Sequence, residues 1–186
     1  MDALVTAFVT AFMAEWGDKT QLIVAMLAAA TRKPGQVLLG LLLAALASSA
    51  LAGLAGVYIA HTIPIRAMTL MVALSLLFAA ATGVLRRRRP APASARLPVL
   101  TALILCLAAE FGDRTQFITF ALAGRFDSAP LAAAGATAGI LAACIPAALL
   151  GDKLQATIPL RPIRYTVAGL FLVAGFYAAV SALELV

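Results

Sequence analysis

The chain has 186 residues, 63% of them hydrophobic and only 12% charged, with a mean hydropathy of +1.03. A soluble domain carries about 25% charged residues, so the polar groups are too few to cover a soluble surface and an integral membrane protein is expected. The net charge of +6 does not argue for nucleic acid, because the basic residues lie between apolar segments rather than on one face or stripe.

A helix needs about 20 apolar residues to cross a bilayer, and the sequence offers six such spans. The first covers residues 3–30. Met1-Asp2-Ala3 has no basic region of the kind that opens a cleavable signal peptide, so this span should be retained. Arg32-Lys33-Pro34-Gly35 ends it. The second covers 36–60 and is broken by His61-Thr62-Ile63-Pro64, with His61 expected at the membrane interface. The third covers 65–85 and runs into Arg86–Arg89 and a Pro/Ala/Ser linker. The fourth covers 98–123, the fifth 129–150 and the sixth 162–183. All six should be helices, because open strands cannot satisfy their backbone in lipid. Pro146 should kink the fifth. Cys106 and Cys144 lie inside apolar runs with no CxxC or Cys/His spacing and read as small packing residues.

Spans one and four each carry an expensive heptapeptide. The copies are Glu15-Trp16-Gly17-Asp18-Lys19-Thr20-Gln21 and Glu110-Phe111-Gly112-Asp113-Arg114-Thr115-Gln116. A carboxylate at bilayer depth costs at least ~2.5–3.5 kcal/mol, so such groups usually face a cavity, a partner or a substrate path. A shift of 95 positions superimposes the copies and, without a gap, takes Gly40 to Gly135, Gly56 to Gly151, Thr62-Ile63-Pro64 to Thr157-Ile158-Pro159 and Arg66 to Arg161. This is an internal duplication of three spans. Because three is odd, the second half must enter from the opposite side, a pattern found in secondary transporters with a site between the halves. The expected fold is therefore all-α and membrane-integral, with six transmembrane helices as two inverted repeats: 1–89, a cytoplasmic linker 90–97, and 98–186.

Orientation follows from charge. The first, third and fifth connections carry Arg32, Lys33, Arg86, Arg87, Arg88, Arg89, Arg96, Lys153, Arg161 and Arg164, against only Arg66 and Arg125 on the other side. The positive-inside rule puts these connections in the cytoplasm and both termini outside, and Arg86–Arg89 then reads as a juxtamembrane anchor.

On a continuous helix Glu15 and Asp18, three apart, share a face, and Glu110 and Asp113 repeat that geometry. If the faces meet, four carboxylates converge. Gln21 and Gln116 add carbonyl oxygens one turn on, whereas the hydroxyls of Thr20 and Thr115 point away from Glu15 and Glu110 on an ideal helix. An all-oxygen cluster without His or Cys suits Mg²⁺, Ca²⁺ or Mn²⁺ rather than Zn²⁺ or Cu(I). Four acids with Lys19 and Arg114 leave a formal charge of −2, matched by one divalent cation or two protons. The alternative is that Glu15–Lys19 and Glu110–Arg114 are intrahelical ion pairs, which leaves Asp18 and Asp113 unexplained. Gly17 and Gly112 suit close helix approach or a local break beside the acids. Trp16 and Phe111 suit packing or gating, Gly135–Gly139 is a helix-packing GxxxG, and Ser48 and Ser49 suit packing or a path.

The duplicated Glu-x-Gly-Asp-Lys/Arg-Thr pattern resembles the signature of the Golgi manganese/calcium transporter family, which includes bacterial manganese exporters. The resemblance covers the whole chain. It implies export of Mn²⁺, and in some members Ca²⁺, from the cytoplasm against protons, with Glu15, Asp18, Glu110 and Asp113 as the acids that act. No cofactor is implied, since the metal is cargo; the setting is a bacterial inner membrane. Two other readings compete. An intramembrane metal-dependent hydrolase could use the acids, but it lacks a phosphate-binding Arg cluster and has no use for the repeat. A structural subunit would not need charged and amide residues repeated at depth.

Overall fold

The computed structural model describes residues 1–85 and 96–183. All regular structure among them is helical: α1 (Asp2–Glu15), α2 (Lys19–Thr31), α3 (Pro34–Ala60), α4 (Ile65–Gly83), α5 (Pro98–Glu110), α6 (Arg114–Arg125), α7 (Ala129–Leu150), a 3₁₀ turn (Gly151–Lys153), α8 (Leu154–Thr157) and α9 (Leu160–Ala182). The Arg86–Arg89 anchor and most of the expected linker fall outside the described residues.

Spans two, three, five and six appear within a few residues of their expected bounds, and these four stretches are long and apolar enough to cross a membrane. Prolines open several helices where a missing N–H costs nothing, Pro34 at the start of α3 and Pro98 at the start of α5. Arg32 closes α2 in the left-handed region (φ 55°), its N–H donating to Ala28 O. α7 runs on as one helix through Pro146. Spans one and four differ from expectation. Neither is a continuous helix; each is two short helices, α1 with α2 and α5 with α6, interrupted inside the heptapeptide.

The packing is small inside and large outside. Ala3, Ala7, Ala11 and Ala14 form a buried face of α1, which lies along α7; Ala102, Cys106 and Ala109 do the same on α5, which lies along α3. Gly135 and Gly139 sit so close to Leu4 O and Phe8 O of α1 that a Cβ would not fit, and Gly40 meets Val99 O of α5 in the same way. Leu4 and Val99, like Gly40 and Gly135, are 95 apart, so the two seams are repeats of each other. Lipid gives no hydrophobic drive between helices, and close approach of small residues supplies the dispersion contacts instead. Cys106 and Cys144 are both buried and free, as packing residues should be. Outside this core, α4 pairs with α9, and large side chains such as Leu74, Phe78, Val173 and Phe176 face outward.

Candidate metal site

The two interruptions have one conformation. After α1, Trp16 is extended (φ −64°, ψ 118°), Gly17 has φ +71°, and Asp18 is extended (φ −85°, ψ 173°). After α5, Phe111 (−66°, 120°), Gly112 (+72°) and Asp113 (−84°, 163°) repeat it. Only glycine takes that positive φ without steric cost, which is why a glycine stands at each break. Each break is tied locally. Gly17 N–H donates to Gln21 Oε1 and Gly112 N–H to Gln116 Oε1, both at 2.8 Å. Asp18 N–H donates to Glu15 O and Asp113 N–H to Glu110 O, both at 3.1 Å.

The break changes the geometry from which the sequence was read. Glu15 and Asp18 do not share a helical face, because the helix ends between them, and the same is true of Glu110 and Asp113. Asp18 and Asp113 instead stand at the N-caps of α2 and α6 without capping them through their side chains. A new grouping results: Glu15, Asp18 and Asp113 are buried and present oxygens within 4.8 Å of one another. Glu110 is also buried and is held alongside by a hydrogen bond.

The hydrogen bonds that hold the acids cross between the two motifs. Thr20 Oγ1 donates to Glu110 Oε1 and Thr115 Oγ1 donates to Glu15 Oε1, each at 2.8 Å. Each threonine thus reaches the glutamate of the other motif. The basic residues cross as well. Lys19 Nζ lies 3.0 Å from Asp113 Oδ1, and Arg114 Nη2 lies 3.6 Å from Asp18 Oδ1 while also donating to Ala14 O. The intrahelical alternative, Glu15–Lys19 and Glu110–Arg114, is therefore not the pairing that forms. Glu15 Oε2 is buried and accepts no hydrogen bond among the described residues.

Both glutamine carbonyls serve the breaks, which leaves each one free lone pair. Their amide groups reach the other half: Gln21 Nε2 donates to Ala143 O (2.8 Å) and Gln116 Nε2 to Ser48 Oγ (3.3 Å). Ser48 and Ala143 are themselves 95 apart, so the register of the repeat could have identified this contact.

The two sides of the junction are not alike. Leu160 and the stem of Arg164 cover Gly17, and the Arg164 guanidinium donates to Gly83 O (3.1 and 2.8 Å) and to Leu85 O at the end of α4. Among the described residues, chain neighbours aside, none lies within 4 Å of where a Gly112 Cβ would stand, and Phe111 is 68% exposed. Beside it, α3, α4 and α6 line an apolar groove of about 640 Å³ that includes Phe111, Gln116 and Phe117. The sequence placed Arg164 only among the basic residues of a connection; its repeat counterpart is Thr69, so the duplication carries no signal for a role at the junction.

The donors gathered here are oxygens, suited to a hard divalent ion, and the partners of each acid come from both halves. A family model described as divalent cation/proton antiporter GDT1 matches residues 3–90 and 98–185. A Vibrio cholerae protein named "Putative manganese exporter" is 33% identical over 182 residues, spanning 96% of this chain and 91% of that relative. No solved structure matches. With both halves matched and nearly the full length aligned, the chain is an integral membrane transporter, not an enzyme, and belongs to the divalent cation/proton antiporter GDT1 family.

Proposed function

We propose that the protein exports Mn²⁺, with Ca²⁺ as a second substrate, from the cytoplasm in exchange for protons. The observation that carries this reading is the meeting of Glu15, Asp18 and Asp113 oxygens within 4.8 Å. Hard divalent ions hold oxygens at about 2.0–2.6 Å, so oxygens across one ion lie roughly 4–5 Å apart. These three acids are the first ligands and Glu110 the fourth, with the spare lone pairs of Gln21 and Gln116 as neutral donors. Gly17 and Gly112 give the breaks, and Thr20, Thr115, Lys19 and Arg114 hold the acids. The buried Glu15 Oε2 supports the reading, since an acceptor without a donor in low dielectric calls for a cation or a proton. The relative's name favours manganese, and the family's description favours protons as the counter-ion.

The transport cycle is alternating access in a six-span protein of two inverted repeats. α1 with α2 and α5 with α6 each make one span. α1 has 14 residues and is about 21 Å long, too short alone for a hydrocarbon core of about 30 Å. Both termini lie outside and the central linker lies in the cytoplasm of a bacterial inner membrane. The covered Gly17 side is then cytoplasmic, because α9 follows the basic fifth connection, and the uncovered Gly112 side faces out.

The test is Mn²⁺ flux into proteoliposomes carrying a pH dye, for wild type and Asp18→Asn. Metal entry with opposite proton movement, abolished by the substitution, is expected. Metal movement without a pH change would remove the proton coupling. Absence of both Mn²⁺ and Ca²⁺ flux would overturn the reading.

A further inference from the structure

We propose that the two motif cations have different duties: Arg114 is a fixed counter-charge, and Lys19 is a resident cation that the metal must displace from Asp113. This rests on the metal-site reading above. The repeat makes the two residues equivalent in sequence, and the structure makes them unequal.

Arg114 is locked in place. Its side chain is 3% exposed, it donates to Ala14 O as well as facing Asp18, and a Cβ on Gly83 of α4 would stand 3.3 Å from its Nη1. Withdrawing it would separate a buried guanidinium from the carboxylate it faces, a costly state. Lys19 sits at the opposite, uncovered side. Its side chain is 35% exposed, its ion pair is with Asp113, and the backbone beside Asp113 at Gly112 has open space next to it. An ammonium on four methylenes whose side chain is already a third exposed can swing away from Asp113 and keep its charge in a more open setting.

Geometry obliges one of the cations to move. Asp113 is one of the three acids whose oxygens converge, and Lys19 Nζ is already 3.0 Å from its Oδ1. A dication taking the same carboxylate would stand against that ammonium at a few ångströms with like charge. Formal charge agrees in sign: withdrawing Lys19 leaves the site one unit more negative, and so a better host for a dication, whatever Glu110 contributes. Lys19 thus competes with cargo, lowers the affinity of the site, and refills Asp113 once the ion has left.

A residue that merely held Asp113 in position would have the opposite effect on binding, so the sign decides. The full chain in detergent is titrated with Mn²⁺, following fluorescence of Trp16, the chain's one tryptophan, which adjoins the site. Lys19→Gln should bind Mn²⁺ about tenfold more tightly, a change that loss of one like charge nearby readily supplies. Lys19→Arg should stay near wild type. In proteoliposomes at saturating Mn²⁺, Lys19→Gln should turn over more slowly, because nothing expels the ion. Weaker or unchanged binding in Lys19→Gln would overturn the proposal. A wild-type measurement needs no folded variant: amine acetylation read by peptide mass spectrometry should rise at Lys19 when Mn²⁺ is added, with Lys33 and Lys153 as internal references. A fall or no change at Lys19 counts against displacement. Wild type that binds no metal by either fluorescence or calorimetry would sink the site reading itself, an outcome separate from either result for Lys19.

Discussion

Gly17 and Gly112 share a φ near +71° but not their surroundings. An alanine at either position meets the left-handed penalty, roughly 1–2 kcal/mol. At Gly17 the new methyl also runs into the stem of Arg164, whose Cγ would be 2.7 Å away, whereas at Gly112 it meets open space. Gly17→Ala should therefore lower the thermal unfolding midpoint in detergent more than Gly112→Ala; equal losses would mean that the Arg164 stem yields freely. Thr115→Val is a second case. It removes the only hydrogen bond given to Glu15 Oε1 among the described residues, and a bond to a charged or buried carboxyl is worth about 1.5–3 kcal/mol. A midpoint within error of wild type would count against that bond. The acids were legible in the sequence because charge at bilayer depth demands a reason. Their partners were not. The i,i+3 and i,i+4 rules presume an unbroken helix, and once Gly17 and Gly112 break it, Thr20, Thr115, Lys19 and Arg114 find partners about 90 to 100 positions away.

The same contrast holds for the elements. The helices α3, α4, α7 and α9 could be read because long apolar runs end at prolines, glycines and charges. The breaks were legible at Gly17 and Gly112 only as one of two options, since a lone glycine costs a helix only ~1 kcal/mol and is often tolerated. What holds each break open is tertiary: the Gln21 amide bridges Gly17 N–H and Ala143 O, and the Gln116 amide bridges Gly112 N–H and Ser48 Oγ. Gln21 is fully buried and Gln116 only partly so. Gln21→Leu strands two polar backbone groups away from water at about 1–3 kcal/mol each. Gln116→Leu frees the exposed Gly112 N–H, which water can reach, and the Ser48 hydroxyl, which is buried. Thermal unfolding of the two variants should rank Gln21→Leu as the less stable, and the reverse order would mean that the Gln21 bonds are dispensable.

Across the whole molecule, closure on one side depends on Arg164. It caps the last carbonyls of α4 and covers Gly17, tying α9 to α4 where α4 also meets Arg114. Arg164→Ala should uncover that side. A thiol at Leu160→Cys, a half-buried position, should then react faster with a membrane-impermeant maleimide applied from that side; an unchanged rate would remove Arg164 from the closure. The crossed contacts have a further consequence. A chain of one repeat would hold a glutamate with no threonine to bind it, an aspartate with no cation beside it, and a helix face ready for the glycine seam of a second copy. Such a half could complete its site only by meeting another half. The crossing also ties the motifs together: a residue altered in one loses its partner in the other.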